Sequence, residues 1–89
     1  MVRVRAVLAH DELHHEGESL VLVDGQVHRV SALGTTIRRH AAVGVATLDE
    51  LATALEDEFG TPPEGSAQEL TRRAVETLVA AGLLEVLEP

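Results

Sequence analysis

Asp24-Gly25, set between the runs Leu20 to Val23 and Gln26 to Val30, constrains this chain more than any other pair of residues. Two residues that tolerate positive φ, between segments rich in β-branched side chains, specify a hairpin with a two-residue turn. The turn fixes register. Val23 faces Gln26, Leu22 faces Val27 and Val21 faces His28, which puts Val21, Val23, His28 and Val30 on one face and Leu20, Leu22, Val27 and Arg29 on the other. Both faces carry large apolar residues, so the pattern leaves the core side open. Ser31 follows at once as a helix N-cap, and Val30 before it can pack on the first helical turn, so strand passes into helix with almost no loop.

Upstream, Val2, Val4, Ala6 and Leu8 alternate with Arg3, Arg5 and Val7, which predicts a first strand from about Arg3 to His10. The polar stretch His10 to Ser19 reads as a turn or an irregular extension of that strand. Downstream, Leu33, Ile37 and Ala41 recur at helical spacing, giving a first helix over Ala32 to Ala42 that Gly34 weakens and Gly44 stops. Thr47 and Glu50 form a capping box for a second helix, whose stripe Leu48, Leu51, Ala52, Leu55 and Phe59 ends at Gly60 and Pro62-Pro63. A second box, Ser66 with Glu69, opens a third helix in which Leu70, Ala74, Val75, Leu78 and Val79 run to Gly82, and Leu83 can fold back onto Leu78. The tail from Leu84 to Pro89 is too short for another substantial element. The expectation is one domain over residues 1–89, of α+β class, in which a three-stranded antiparallel sheet is followed by three helices.

Composition removes several kinds of function. With 89 residues the chain can build one small core, and an elaborate buried active site is not expected. No cysteine is present, which excludes disulfides, thiolate nucleophiles and zinc-thiolate sites. The formal net charge is −8, and all seven basic residues are arginines, a balance that disfavours nucleic acid and anionic membranes. A single Phe with no Tyr or Trp leaves no stacking platform for bases. The apolar run Ala6 to Ala9 is too short for a signal-peptide core or a membrane span, so the expected compartment is the cytoplasm.

Candidate chemistry is sparse. His10, His14 and His15 with Asp11 and Glu12 could suggest a metal-dependent enzyme, but in an extended segment His14 and His15 point to opposite sides. Arg38-Arg39 and Arg72-Arg73 could each meet an acidic partner or a phosphate, or be ordinary surface charge, with Arg73 spaced to pair with Glu69 or Glu76. Glu56, Asp57 and Glu58 come from one helix end and read as solubilising, and Leu33 to Thr36 lacks the glycine-rich pattern of a phosphate cradle. Ser31 and Ser66 do not stand where a carrier protein would hold its modifiable serine. No catalytic constellation results. The chain is expected to be non-enzymatic, with no metal and no cofactor.

The segments LVLVDGQVHRVSALGTTI, TLDELATALEDEFG and LTRRAVETLVAAGLL together resemble the PqqD-like family, the peptide recognition element of ribosomal peptide modification pathways. Val30-Ser31 stand where that family usually has Leu-Asn, Thr47 to Leu51 match the start of its second helix, Phe59-Gly60 its end, and Gly82-Leu83-Leu84 its close. The return strand departs from the family, with Val27 and His28 where aromatic residues are frequent, and Gly34 intrudes into the first helix.

The resemblance implies a fold similar to a winged helix-turn-helix, in which the leader region of a precursor peptide adds a strand beside the third strand and lies against the third helix. Carried over by position, the binding residues are Gln26, Val27, His28, Arg29 and Val30 on the strand and Leu70, Arg73, Ala74, Thr77 and Ala81 on the helix. Arg29 and Arg73 would meet leader carboxylates, while Ala74 and Ala81 leave room for apolar side chains. For each helix position, ordinary core packing is the competing expectation. The implied function is a stand-alone leader-peptide-binding chaperone that delivers its cargo to a separate modifying enzyme, such as a radical enzyme, a cyclase or a leader peptidase. The alternative is a winged helix-turn-helix DNA-binding regulator, since strand and helix order alone cannot separate the two. The same open strand edge could pair with a second copy, forming a homodimer.

Overall fold

The structure, a computed structural model, describes residues 2–87. Its elements run β1 (Arg3–Ala6), β2 (Asp11–His15), β3 (Glu18–Val23), β4 (Gln26–Val30), α1 (Ala32–Val43), β5 (Ala46–Thr47), α2 (Leu48–Phe59), α3 (Ala67–Ala80) and β6 (Leu84–Leu87). The strands form two three-stranded antiparallel sheets, one ordered β5-β1-β6 and the other β2-β3-β4. The class is α+β.

The central hairpin follows its local chemistry. Asp24 and Gly25 both take positive φ, 51° and 77°, as a two-residue turn with the twist of its flanking strands requires. The observed register places Val23 opposite Gln26, Leu22 opposite Val27 and Val21 opposite His28. Burial now decides the face. Val21, Val23 and Val30 belong to the core, while Leu20 and Val27 remain exposed.

Three expectations about the sheet give way. The first strand ends at Ala6 rather than His10, and it pairs with β5 and β6 instead of the hairpin. The polar stretch after His10 is itself a strand, β2, joined to β3 by a second positive-φ pair, Glu16 at 51° and Gly17 at 84°. Finally, the tail is a strand, since Leu84 to Leu87 lie antiparallel to β1. A simple order of three strands followed by three helices therefore does not hold, because β5 lies between α1 and α2 and β6 follows α3.

The helices start where their caps are. The Ser31 hydroxyl accepts from the Gly34 N–H, Thr47 and Glu50 complete a reciprocal capping box, and Ser66 accepts from the Glu69 N–H without the expected return bond, because Glu69 Oε1 accepts from Arg72 at 3.0 Å instead. At the end of α3, Gly82 at φ 80° turns the chain so that the Leu83 N–H donates to the Leu78 carbonyl at 2.9 Å. That closure buries Leu83 and leads directly into β6. Ile37, Leu51, Leu55, Val75 and Leu78 bring the three helices onto the Val4, Val21 and Val30 side chains, each such side chain contributing about 1.5–3 kcal/mol of burial.

Two helical residues depart from the expected stripe. Leu33 and Phe59 lie outside the core, 39% and 46% exposed, Leu33 in the first turn of α1 and Phe59 at the last residue of α2. Gly34 is no accidental weakness in α1. A Cβ there would stand 2.7 Å from Val30 Cγ1 and 3.5 Å from Leu78 Cδ2, so glycine is what lets α1 sit tightly against β4 and α3.

Arg38, expected either to meet an acidic partner or a phosphate or to be ordinary surface charge, is instead 5% exposed. Its guanidinium donates to the Val7 carbonyl at 2.6 Å, to the Leu83 carbonyl at 3.3 Å and to Glu12 Oε1 at 2.9 Å. One side chain thereby fastens the segment after β1, strand β2 and the turn into β6 to α1. Next to it the buried hydroxyls of Ser19 and Thr35 share a hydrogen bond of 2.8 Å, joining β3 to α1.

Candidate functional site

Among the described residues strand β4 pairs only with β3, so its other edge is open. In a two-residue hairpin the residues flanking the turn exchange both hydrogen bonds, and bonded and non-bonded pairs then alternate along the ladder. Applied to the register here, Gln26, His28 and Val30 turn their N–H and C=O groups toward Ser19, Val21 and Val23 of β3. Val27 and Arg29 turn theirs outward. The partner of Val27 supports this alternation, since the Leu22 carbonyl points away from β4 and accepts from the His10 N–H at 2.8 Å. Two N–H and two C=O groups thus stand unpaired along the edge, in a strand that carries neither proline nor bulge to blunt it.

Beside this edge runs a cleft of about 390 Å³ between the β4–α1 junction and one side of α3. Its width follows from small residues. Gly34 lies at its base, and Ala74 and Ala81 stand where larger side chains would reach across. Leu78 and Leu83 supply an apolar floor that is continuous with the core.

Of the residues singled out by sequence, His28, Arg29, Val30, Ala74, Thr77 and Ala81 are brought together around this cleft. Gln26 and Val27 lie at the exposed hairpin end and do not line it. Arg73 is exposed on α3 and lies 4.0 Å from Glu69. Leu70, one turn before Ala74, borders a separate cavity against α2. Val30 borders the cleft while its side chain, 3% exposed, also belongs to the core. Ser31, Gly34, Leu78 and Leu83 were not anticipated. A glycine inside an otherwise helical pattern was the available sign of close approach there.

The charges around the cleft are loosely held. Both nitrogens of Arg29 that approach Glu18 do so at 3.4 Å, with the Arg29 side chain 80% exposed. Exposed pairs of this kind are worth about 0–1 kcal/mol, so a competing carboxylate could displace Glu18 or Glu69 at little cost. The Thr77 hydroxyl donates to the Arg73 carbonyl within its own helix at 3.1 Å, which leaves its lone pairs facing outward as acceptors.

Other candidate chemistry does not assemble. His14 and His15 sit on opposite faces of β2, and among the described residues no three His, Asp or Glu side chains gather as metal ligands. A wider cleft, about 550 Å³, lies between residues 5–9, β2 and α1, where Arg38 is committed to Glu12 and backbone carbonyls. Six of the seven arginines have a carboxylate within 4.0 Å, so phosphates would have to compete for them. Among the described residues no helix is long and apolar enough to cross a membrane.

Comparison with protein-family models, with curated proteins and with solved structures found no match to this chain.

Proposed function

We propose that this protein is a non-enzymatic peptide-binding module of the PqqD-like kind, built on a winged helix-turn-helix-like frame. It captures the leader region of a ribosomally made precursor by strand addition to β4 and presents it to a separate modifying enzyme. The observation that carries this reading is the open β4 edge, with its outward Val27 and Arg29 backbone groups, lying directly beside an apolar-floored cleft.

The energetics are those of a modest, tunable binder. Four new backbone hydrogen bonds at about 0.5–1.5 kcal/mol each contribute about 2–6 kcal/mol. Micromolar affinity requires about 8 kcal/mol after the cost of association, so apolar side chains in the cleft supply the balance. In an antiparallel added strand the residue opposite His28 faces the cleft, because directly opposed side chains share a face. Its two neighbours in the added strand project to the outer face beside Val27 and Arg29, where a carboxylate can replace Glu18. Backbone bonds thus give affinity for an extended chain, and the alternation of inward apolar and outward acidic residues gives register.

Proline substitution separates the two kinds of β4 residue. Val27→Pro and Arg29→Pro each remove an N–H that faces outward, so the hairpin persists while affinity for a synthetic leader peptide, from the precursor encoded beside this gene, falls at least tenfold by calorimetry. His28→Pro removes an N–H bonded to β3 and disrupts the hairpin itself. Unchanged affinity in folded Val27→Pro and Arg29→Pro proteins refutes strand addition at this edge.

A further inference from the structure

Phe59 is the only aromatic residue in the chain, and it stands 46% exposed. Burying an aromatic ring is among the largest hydrophobic gains open to a small domain, and this protein leaves that gain partly unused. Together with Leu33, Phe59 rims a cavity of about 220 Å³ between the end of α2, the turn at residues 60–63 and the first turns of α3, with Leu55, Ala67 and Leu70 on its inner walls. The cavity has room for one large side chain. Its walls are mostly apolar, and among the described residues Glu56 at the rim is the only ionisable one lining it. A half-exposed aromatic beside an apolar pocket has the anatomy of an interface hot spot.

The cavity is aligned with the β4 cleft. Leu70 precedes Ala74 by one turn on the same face of α3, and Leu33 follows Ser31 by two residues, with Ala74 and Ser31 lining the cleft itself. From Ala74 to Leu70 the helix advances about 6 Å at 1.5 Å per residue, which an extended chain covers in about two residues. A strand leaving β4 along α3 therefore reaches the Phe59 cavity shortly after its last backbone pairing.

We infer that this cavity is a second anchor site, which takes one large aliphatic or aromatic side chain of the peptide bound at β4, about two residues beyond the paired segment. The inference rests on the peptide-binding reading above. Strand addition then supplies register, and the Phe59 cavity selects peptides whose extension carries an apolar residue at the matching position.

The test uses protein labelled at backbone amides and leucine methyls, titrated with the same synthetic leader peptide. Val27 and Arg29 amides report strand addition, and Leu33, Leu55 and Leu70 methyls report the cavity. Both sets are expected to shift, and replacing a single apolar peptide residue by Ala should silence the methyl set alone. Phe59→Ala should weaken binding about tenfold while the β4 amides still move at saturation, with Leu33→Ala as a second variant at the rim. Amide shifts without methyl shifts, or undiminished affinity in both variants, overturn the anchor site and leave strand addition standing. Absence of amide shifts overturns strand addition and the anchor site together.

Discussion

Substituting Gly34 by Ala sets two local effects against each other. Helix propensity alone favours the change by about 1 kcal/mol, since glycine is the costlier residue inside a helix. Packing opposes it. The new Cβ would stand 2.7 Å from Val30 Cγ1, a methyl on a stiff β-branched side chain that is 3% exposed, with Leu78 Cδ2 at 3.5 Å behind it. Val30 cannot swing aside without entering the core, so α1 must move away from β4. Overpacking of this kind costs about 1–3 kcal/mol, and the net expectation is destabilisation by about 1 kcal/mol, with the melting temperature falling by roughly 4–8 °C. Urea and thermal unfolding followed by circular dichroism measure it directly. The same methyl projects into the base of the β4 cleft, so peptide affinity should fall further than stability does. A Gly34→Ala protein that is more stable than the parent would show that α1 and β4 do not approach as closely as described, and the cleft geometry would fall with that contact.

Two further substitutions probe the residues that hold the cleft's surroundings. Arg38→Ala removes three hydrogen bonds from a buried guanidinium and should cost about 3 kcal/mol in chemical unfolding, with Arg38→Lys recovering only part because one ammonium cannot span the same acceptors; a change below 1 kcal/mol would contradict the fastening role. Thr71 is fully buried on α3 and its hydroxyl has no hydrogen-bond partner among the described residues, so Thr71→Val, which keeps shape and β-branching, should raise the urea midpoint by an amount equivalent to about 1 kcal/mol, and a lowered midpoint would mean the hydroxyl is paired after all.

Local signals were legible where one short stretch decides the outcome. The Asp24-Gly25 hairpin, the three capped helix starts and the Gly82 closure each depend on residues within a turn or two of one another, and each formed as the residues indicate, except that the Glu69 carboxylate turns to Arg72 instead of closing a box with Ser66. Strand β2 was hidden because both of its faces are exposed, which erases the alternation that marks a half-buried strand. Its turn, Glu16-Gly17, is a weaker hairpin signal than Asp24-Gly25. Strands β5 and β6 exist only through pairing with β1, and for β6 that pairing joins residues at opposite ends of the chain, such as Arg3 and Leu87.

Side-chain roles divided along similar lines. Ala74, Thr77 and Ala81 were recognisable as one stripe of α3, and the backbone direction at Val27 and Arg29 follows from the hairpin register alone. Arg38 was not recognisable, because residue type favours the surface and only the converging carbonyls of Val7 and Leu83 reward its burial. Leu33 and Phe59 follow helical spacing as well as any core residue does. What sets them apart is their place at helix ends, in the first turn of α1 and the last residue of α2, which periodicity does not weigh.

Strand addition at β4 is tested most directly by amide chemical-shift titration of labelled protein with the synthetic leader peptide, beside duplex DNA as a control. The expected result is saturable shifts concentrated at Val27, Arg29 and the α3 face from Ala74 to Ala81, with none of comparable size from DNA. Silence with the peptide while DNA moves the helices would contradict peptide capture and favour a DNA-binding winged helix, and silence with both would leave the open edge without the proposed partner.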